Sequence, residues 1–212
     1  MAETALVTAP PHTPDGLRPV SPAAHLAERF AAAEVTGTRA VSLREVGLLT
    51  MVGLRVVPGS AAAGRIGTCL KAQLPVSCGE VSTADGLSVL WLSPDEFLAV
   101  GGDESATEVT VSLLEALDGD PGSVTDLSAN RTTFELTGIS ARAVLEKGCP
   151  LDLHPRAFAV GQAYVTLIGS VPVVLWKTAD ETYRILPRSS YADFLGRWLI
   201  DAMAEFKVSE LP

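Results

Sequence analysis

Two similar stretches set the architecture of this chain: residues 89–97, V-L-W-L-S-P-D-E-F, and residues 174–183, V-L-W-K-T-A-D-E-T-Y. In each stretch a run of apolar and aromatic residues is followed by turn-forming residues and then by another aromatic residue, which is typical of a β-hairpin. The recurrence indicates an internal repeat. We therefore predict two halves related by a pseudo-twofold axis, with Trp91 and Trp176 on equivalent strands.

Similar elements flank both hairpins. Upstream, residues 58–61 (P-G-S-A) resemble residues 137–140 (T-G-I-S), and each stretch joins a predicted strand to a predicted helix. Downstream, Ser105 and Glu108 form a capping box at the start of a helix, and the second hairpin is also followed by a helix. The order strand, helix, hairpin, helix in each half predicts an α+β fold of ferredoxin-like type, in which helices cover antiparallel sheets.

The chain divides into a tail and one folded unit. Residues 1–20 contain four prolines and few apolar residues, so we predict a flexible tail. Residues 21–212 are predicted to form a single α+β unit whose halves cover about residues 40–123 and 124–207. At the start of this unit, Ser21 and the proline after it are typical of the N-cap and first position of a helix.

The last helix has the clearest pattern in the chain. Apolar residues recur at steps of three and four, which predicts one stripe that packs into the core. We predict Ser190 as the N-cap of this helix, with Asp193 three residues later. The stripe consists of Tyr191, Phe194, Leu195, Trp198, Leu199, Ala202 and Phe206.

Charge and cysteine content restrict the class of protein. The chain has 16 basic and 25 acidic residues, a net charge of −9, and no basic run, which argues against binding to nucleic acid or to anionic lipid. The three cysteines lack C-x-x-C spacing, and the early sequence has no signal-peptide pattern. No apolar run is long enough to span a bilayer. These features predict a cytoplasmic protein with reduced thiols and no membrane partner.

The residue types that carry chemistry are scarce and scattered. The three histidines are His12, His25 and His154, and no two of them have metal-ligand spacing. His154 lies between leucine and proline, which favours a loop imidazole bonded to backbone over a catalytic base. Residues 59–67 (G-S-A-A-A-G-R-I-G) join a strand to a helix but lack the G-x-G-x-x-G and G-K-[ST] patterns, so we predict close packing rather than nucleotide binding. We predict no catalytic, cofactor-binding or metal-binding residue in this chain.

Five stretches resemble the gamma subunits of heterotetrameric sarcosine oxidases. The resemblance covers about residues 21–206. The stretches are 43–46 (L-R-E-V), 90–98 (L-W-L-S-P-D-E-F-L), 125–132 (T-D-L-S-A-N-R-T), 147–156 (K-G-C-P-L-D-L-H-P-R) and 187–194 (P-R-S-S-Y-A-D-F).

The resemblance implies a role in an oxidoreductase complex with alpha, beta and delta subunits. Such a complex oxidises sarcosine to glycine with oxygen as acceptor, giving hydrogen peroxide and either formaldehyde or methylenetetrahydrofolate. In this family FAD, FMN, NAD and zinc belong to other subunits, and the fold of the gamma chain is similar to the folate-binding domain of aminomethyltransferases. We therefore expect a non-catalytic subunit that serves assembly and stabilisation. The alternative is a stand-alone folate-binding or one-carbon-transfer protein, for which fold similarity is the only support.

Overall fold

A computed structural model describes residues 19–102 and 105–207. Of the predicted flexible tail, residues 1–18 lie outside this part of the chain, and the described part begins without regular structure. Five α-helices are described: α1 Ala27–Ala33, α2 Ala61–Cys69, α3 Ala106–Leu117, α4 Ala141–Glu146 and α5 Ala192–Met203. Short 3₁₀ segments cover Ala24–Leu26, Ser189–Tyr191 and Ala204–Lys207. The strands are β1 Ser42–Val46, β2 Thr50–Val56, β3 Val81–Ala84, β4 Leu87–Ser93, β5 Glu96–Gly101, β6 Gly122–Asp126, β7 Thr133–Thr137, β8 Ala163–Ile168, β9 Val171–Ala179 and β10 Thr182–Pro187.

The strands form two antiparallel sheets of five strands each. The order in the N sheet is β3-β4-β5-β2-β6, and the order in the C sheet is β8-β9-β10-β7-β1. Position by position, the second order repeats the first. In the first half α2 follows β2 and α3 follows the hairpin; in the second half α4 follows β7 and α5 follows the hairpin. The predicted α+β class, with repeated antiparallel sheets covered by helices, is confirmed. The last position of the C sheet is filled by β1, which comes first in the chain, whereas β6 fills that position in the N sheet.

The sheets lie face to face between two layers of helices. Successive side chains of a strand point to opposite faces, so one strand can serve two cores. In β2, for example, Leu54 belongs to the core beneath α2 and α3, whereas Met51 packs between the sheets with Leu186 of β10. On the outer face of the C sheet, Ile185 packs in the core that includes Leu199 of α5.

The two tryptophans lie on equivalent strands, β4 and β9, as predicted, but at positions that differ by one residue. Trp91 pairs with Phe97 across the hairpin, whereas the residue that pairs with Tyr183 is Lys177. Trp91 therefore packs toward α2 and α3, and Trp176 packs between the sheets. The second hairpin has one more residue between its tryptophan and the next aromatic residue, and a shift of one residue reverses the face of a strand.

The helix starts agree only in part with the predicted caps. The Ser105 hydroxyl accepts a hydrogen bond from the amide of Glu108 (3.4 Å), so the predicted cap of α3 is confirmed. Ser190 does not cap α5, because it lies inside the 3₁₀ segment that precedes the helix.

The apolar stripe of α5 is only partly buried. Leu195 and Leu199 are fully buried on the C sheet, as predicted. Phe194 is 54% exposed and Tyr191 is 39% exposed, so the prediction of core packing is wrong for these two residues. Both residues lie at the margin of the predicted stripe, outside the part that packs on the C sheet. The longest described helices have 12 residues, and none in the described ranges has the length and apolar character needed to cross a membrane.

Candidate functional site

The peptide that passes from one sheet to the other, residues 127–132, is bonded to both sheets. On the N-sheet side, the Ser128 hydroxyl accepts a hydrogen bond from the amide of Met51 (3.0 Å). On the C-sheet side, the amide of Thr132 donates to the carbonyl of Pro187 (3.2 Å). This junction is the place where three of the stretches quoted for the family resemblance come together, at the ends of β1, β6 and β10.

Glu45 at the end of β1 is the main acceptor of the junction. Its carboxylate accepts hydrogen bonds from the Ser21 hydroxyl (2.5 Å), the Ala23 amide (3.0 Å) and the Thr132 hydroxyl (2.5 Å). Hydrogen bonds to an ionised acceptor are about twice as strong as neutral ones. For this reason the predicted N-cap role of Ser21 is wrong: its hydroxyl donates to Glu45 and does not cap the first helix.

Two arginines face the same side of the junction. Arg131 and Arg188 form an isolated antiparallel bridge, a geometry that places their side chains next to each other. The Arg131 guanidinium donates from Nη1 to the carbonyl of Leu186 (2.9 Å), while its buried Nε has no acceptor in the part of the chain that the structure describes. Burial, and then the neighbouring Arg188 charge, lower the pKa of Arg131, and Glu96 acts in the opposite direction. Within the described ranges, neither arginine has a carboxylate within 4.0 Å.

A second charged cluster lies on the inner face of the C sheet and is fully paired. Glu135 on β7 accepts hydrogen bonds from Arg44 on β1 and from Arg184 on β10, the latter at 3.2 Å. The Arg184 guanidinium also lies 5.5 Å from the centre of the Trp176 ring. Because each charge has its partner inside the chain, we assign this cluster a structural role.

Two cavities lie near α2, away from the junction. One, of about 730 Å³, is lined by 13 residues between positions 58 and 76, among them Gly59, Gly64 and Gly67 of the glycine-rich stretch that was predicted to pack closely on the sheet. That prediction is wrong for Gly59 and Gly64, because a Cβ at either position would meet no atom within 4 Å. The contact between α2 and the sheet is made by Ala62 and Ile66.

A neighbouring cavity of about 420 Å³ lies between the end of α2 and the start of α3. Its charged lining residues are Lys71, Asp85 and Glu108. The Lys71 amine donates to Asp85 (2.7 Å), and this hydrogen bond lowers the pKa of the Asp85 carboxyl. Asp85 and Glu108 are both exposed, so the described residues give this cavity no buried carboxylate.

Two histidines and three cysteines lie in the described part of the chain. His12 is outside the described residues. His25 bonds to Asp193 (2.7 Å) on the surface, and Nδ1 of His154 accepts the amide of Arg156 (3.3 Å), so the predicted backbone bond of His154 is confirmed. Cys69 and Cys78 are exposed, and Cys149 is buried, all as free thiols. In the part of the chain that the structure describes, His, Cys, Asp and Glu side chains form no cluster of three that could hold a metal ion.

The sequence alone did not identify the junction. Its members come from residues 21–23, 45, 127–132 and 186–189, and no spacing rule connects segments so far apart. Two of the stretches quoted for the resemblance, 125–132 and 187–194, contain Arg131 and Arg188, but their contact depends on the pairing of β7 with β10.

Comparison with known proteins gives concordant matches. The profile described as "Sarcosine oxidase, gamma subunit family" matches residues 55–205. The chain is 48% identical over 196 residues to sarcosine oxidase subunit gamma of Corynebacterium sp. (strain U-96), covering 90% of this chain and 93% of the relative. It is also 48% identical over 187 residues to the protein of the same name from Arthrobacter sp., covering 88% and 90% of the two chains.

Solved structures agree with these matches. A chain of the heterotetrameric sarcosine oxidase from Corynebacterium sp. U-96, solved in complex with pyrrole 2-carboxylate, has a TM-score of 0.88 and 47% identity, with 92% of this chain and 99% of that chain covered. The glycine cleavage system aminomethyltransferase T from Bartonella henselae has a TM-score of 0.57 and 14% identity, with 82% of this chain and 48% of that chain covered. The second likeness concerns the fold alone.

Proposed function

Since this chain belongs to the sarcosine oxidase gamma subunit family, we propose that it is the non-catalytic gamma subunit of a heterotetrameric sarcosine oxidase. The observation that carries the proposal is the 48% identity to a named gamma subunit over 93% of that relative's length. The same similarity extends over 90% of this chain.

The proposed role is assembly and stabilisation of the complex. Several large apolar side chains are exposed in the chain alone, among them Phe194 at 54%, Val165 at 57% and Leu48 at 50%. Burying apolar area against another subunit contributes about 25 cal/mol per Å². Aromatic side chains such as Phe194 are common in the centres of protein interfaces.

The proposed partners are the alpha, beta and delta subunits, and the proposed compartment is the cytoplasm. We assign FAD, FMN, NAD and zinc to those other subunits, and tetrahydrofolate to the complex as the acceptor of the one-carbon unit. The titratable groups of this chain have local roles that support this assignment. His154 accepts a backbone amide, Glu45 binds three donors inside the junction, and Glu135 is held between two arginines.

The test is sarcosine turnover per flavin in complexes assembled with and without this chain. Omitting the chain is expected to lower the yield of flavin-loaded complex. Single substitutions are expected to change turnover per intact complex by less than about tenfold, which is about 1.4 kcal/mol of barrier. A loss of about a thousandfold with assembly and flavin content unaltered would show that the chain carries chemistry. The single substitutions to test are at His154, Cys149 and Asp152.

The isolated chain offers a direct spectroscopic check. We expect the purified full chain to be colourless, because its strand-to-helix turn at residues 59–67 lacks a phosphate-binding pattern. Stoichiometric flavin absorbance that stays with the chain through gel filtration would contradict the assignment of the flavins to other subunits.

A folate-binding role is the second candidate, and it has one observation in its favour. The cavity of about 420 Å³ is within the range of small-molecule sites, about 300–1,000 Å³. The donor groups of a pterin ring need a buried acceptor, whereas Asp85 is exposed and held by Lys71. Calorimetric titration of the chain with tetrahydrofolate discriminates the two roles: micromolar binding that is lost in Glu108→Gln would favour the folate-binding protein.

A further inference from the structure

Arg131 and Arg188 form an unusual pair of like charges. They sit directly opposite each other in an antiparallel bridge. Like charges at opposed cross-strand positions destabilise a sheet. The other arginine clusters in the described part of the chain contain a carboxylate: Arg44 and Arg184 share Glu135, and Arg55 contacts Glu96.

Neither arginine of the pair is compensated within the described residues. Arg131 is half-buried and bonds one carbonyl, and no described residue accepts a hydrogen bond from its Nε. The acidic group whose charge reaches Arg131 is Glu96, but that carboxylate already receives the Arg55 guanidinium at 2.8 Å. A partly buried guanidinium without an ion pair is costly, and the cost falls when a carboxylate approaches.

We propose that the Arg131–Arg188 pair is the docking point for a carboxylate side chain of a partner subunit, an inference that rests on the proposed function. Two adjacent guanidinium groups present several N–H donors to one side, and arginine matches a carboxylate with two parallel hydrogen bonds. Arg188 is exposed, so it is available to an approaching protein surface.

The shape of the surface favours a protein side chain over a free small acid. A cavity lined by Arg131, though not by Arg188, has a volume of about 10 Å³, which is room for about one water molecule. Small-molecule sites are about 300–1,000 Å³. The exposed Leu48 lines the same cavity and adds apolar area beside the charges. A pair of arginines with an exposed apolar side chain near one of them fits a subunit interface.

The first test compares two charge reversals in the full chain, Arg188→Glu and the matched control Arg156→Glu. Arg156 is also exposed, and its loop lies outside the junction. Each variant is co-expressed with the partner subunits in competition with a differently tagged wild-type chain. We expect R188E to enter the complex at least about tenfold less than wild type, and R156E to enter equally. Equal incorporation of R188E would overturn the inference.

The second test separates docking from a structural role and from a free ligand. In the isolated chain R188E places a carboxylate beside Arg131, so the melting temperature is expected to stay the same or rise. A fall of more than about 5 °C would show that Arg188 is needed for folding and would overturn the inference. Succinate at constant ionic strength is the small-acid probe: saturable stabilisation of wild type that is lost in R188E would assign the site to a free acid instead.

The outcomes also distinguish this inference from the proposed function. If the wild-type chain does not enter a sarcosine-oxidising complex, the proposed function fails and the inference fails with it. If the wild-type chain and R188E both enter it equally, the proposed function stands and only the docking site is wrong. Restored entry of R188E on reversing one partner Asp or Glu to Lys would identify the docked carboxylate.

Discussion

Replacing Glu45 by alanine should destabilise the junction by about 3 kcal/mol. The substitution removes the acceptor of three hydrogen bonds, from the Ser21 hydroxyl, the Ala23 amide and the Thr132 hydroxyl. A hydrogen bond to a charged group contributes about 1.5–3 kcal/mol, and water can replace part of each bond here because the site is only partly buried. For a chain of this size, about 3 kcal/mol corresponds to a fall in Tm of about 6–12 °C.

Thermal and guanidinium unfolding, followed by circular dichroism, measure this change. Glu45→Gln keeps one oxygen acceptor, and its new amide can donate to the Ser21 hydroxyl, so a smaller loss of about 1 kcal/mol is expected. Glu115→Ala is the matched control, because Glu115 is an exposed glutamate on α3 away from the junction. Its effect should be within about 0.5 kcal/mol of zero.

Hydrogen exchange locates the effect. The Ala23 amide donates to Glu45, so in Glu45→Ala its protection should fall more than that of amides in the N sheet. The reasoning would be refuted by a loss of stability below about 1 kcal/mol together with unchanged protection of Ala23. That result would mean that the first helix is held by its apolar contacts and that the carboxylate contributes little.

Three further predictions test other parts of the chain. Gly138→Ala should destabilise the fold by more than about 2 kcal/mol in guanidinium unfolding, because Gly138 has a φ of 125° and a Cβ there would collide with the carbonyl oxygen of Ala40. The hydrogen bond from Arg197 lowers the pKa of Asp193 to about 2, so this carboxylate stabilises the fold above pH about 4 and the contribution is lost as the pH falls through about 2. The Tm difference between wild type and Asp193→Asn should accordingly shrink over that range, and a constant difference would contradict it. Deleting residues 1–20 should leave the Tm nearly unchanged, because that segment lacks the apolar residues needed to offset about 1–2 kcal/mol of entropy per ordered residue.

Local patterns in the sequence were sufficient for much of the fold. The capping box at Ser105 predicted the start of α3, and the spacing of Leu195 and Leu199 predicted the buried face of α5. These features depend on residues three or four positions apart, whose geometry follows from the helix itself. The strand Val81–Ala84 is not predicted from the sequence, because four residues are too short a pattern to recognise.

The candidate site was less accessible to sequence reasoning. The scattered positions of the histidines and the lack of a phosphate-binding motif are visible in the sequence, but no sequence pattern indicates that Arg131 and Arg188 are neighbours. Their contact joins residues 57 positions apart and requires β7 and β10 to pair in one register. Glu45 likewise reads as an ordinary strand residue until Thr132 and Ser21 are brought to it.

By itself the sequence determined the α+β class, the two repeated hairpins and the family, because these depend on periodicity and on runs of residues that are contiguous in the chain. The tertiary structure decided which face each tryptophan occupies and that β1 completes the sheet of the other half. It also decided that Arg131 and Arg188 meet with no carboxylate within 4.0 Å among the described residues. The reason is that strand register is set by pairing between distant segments, and one residue of shift exchanges the buried and exposed faces of a strand.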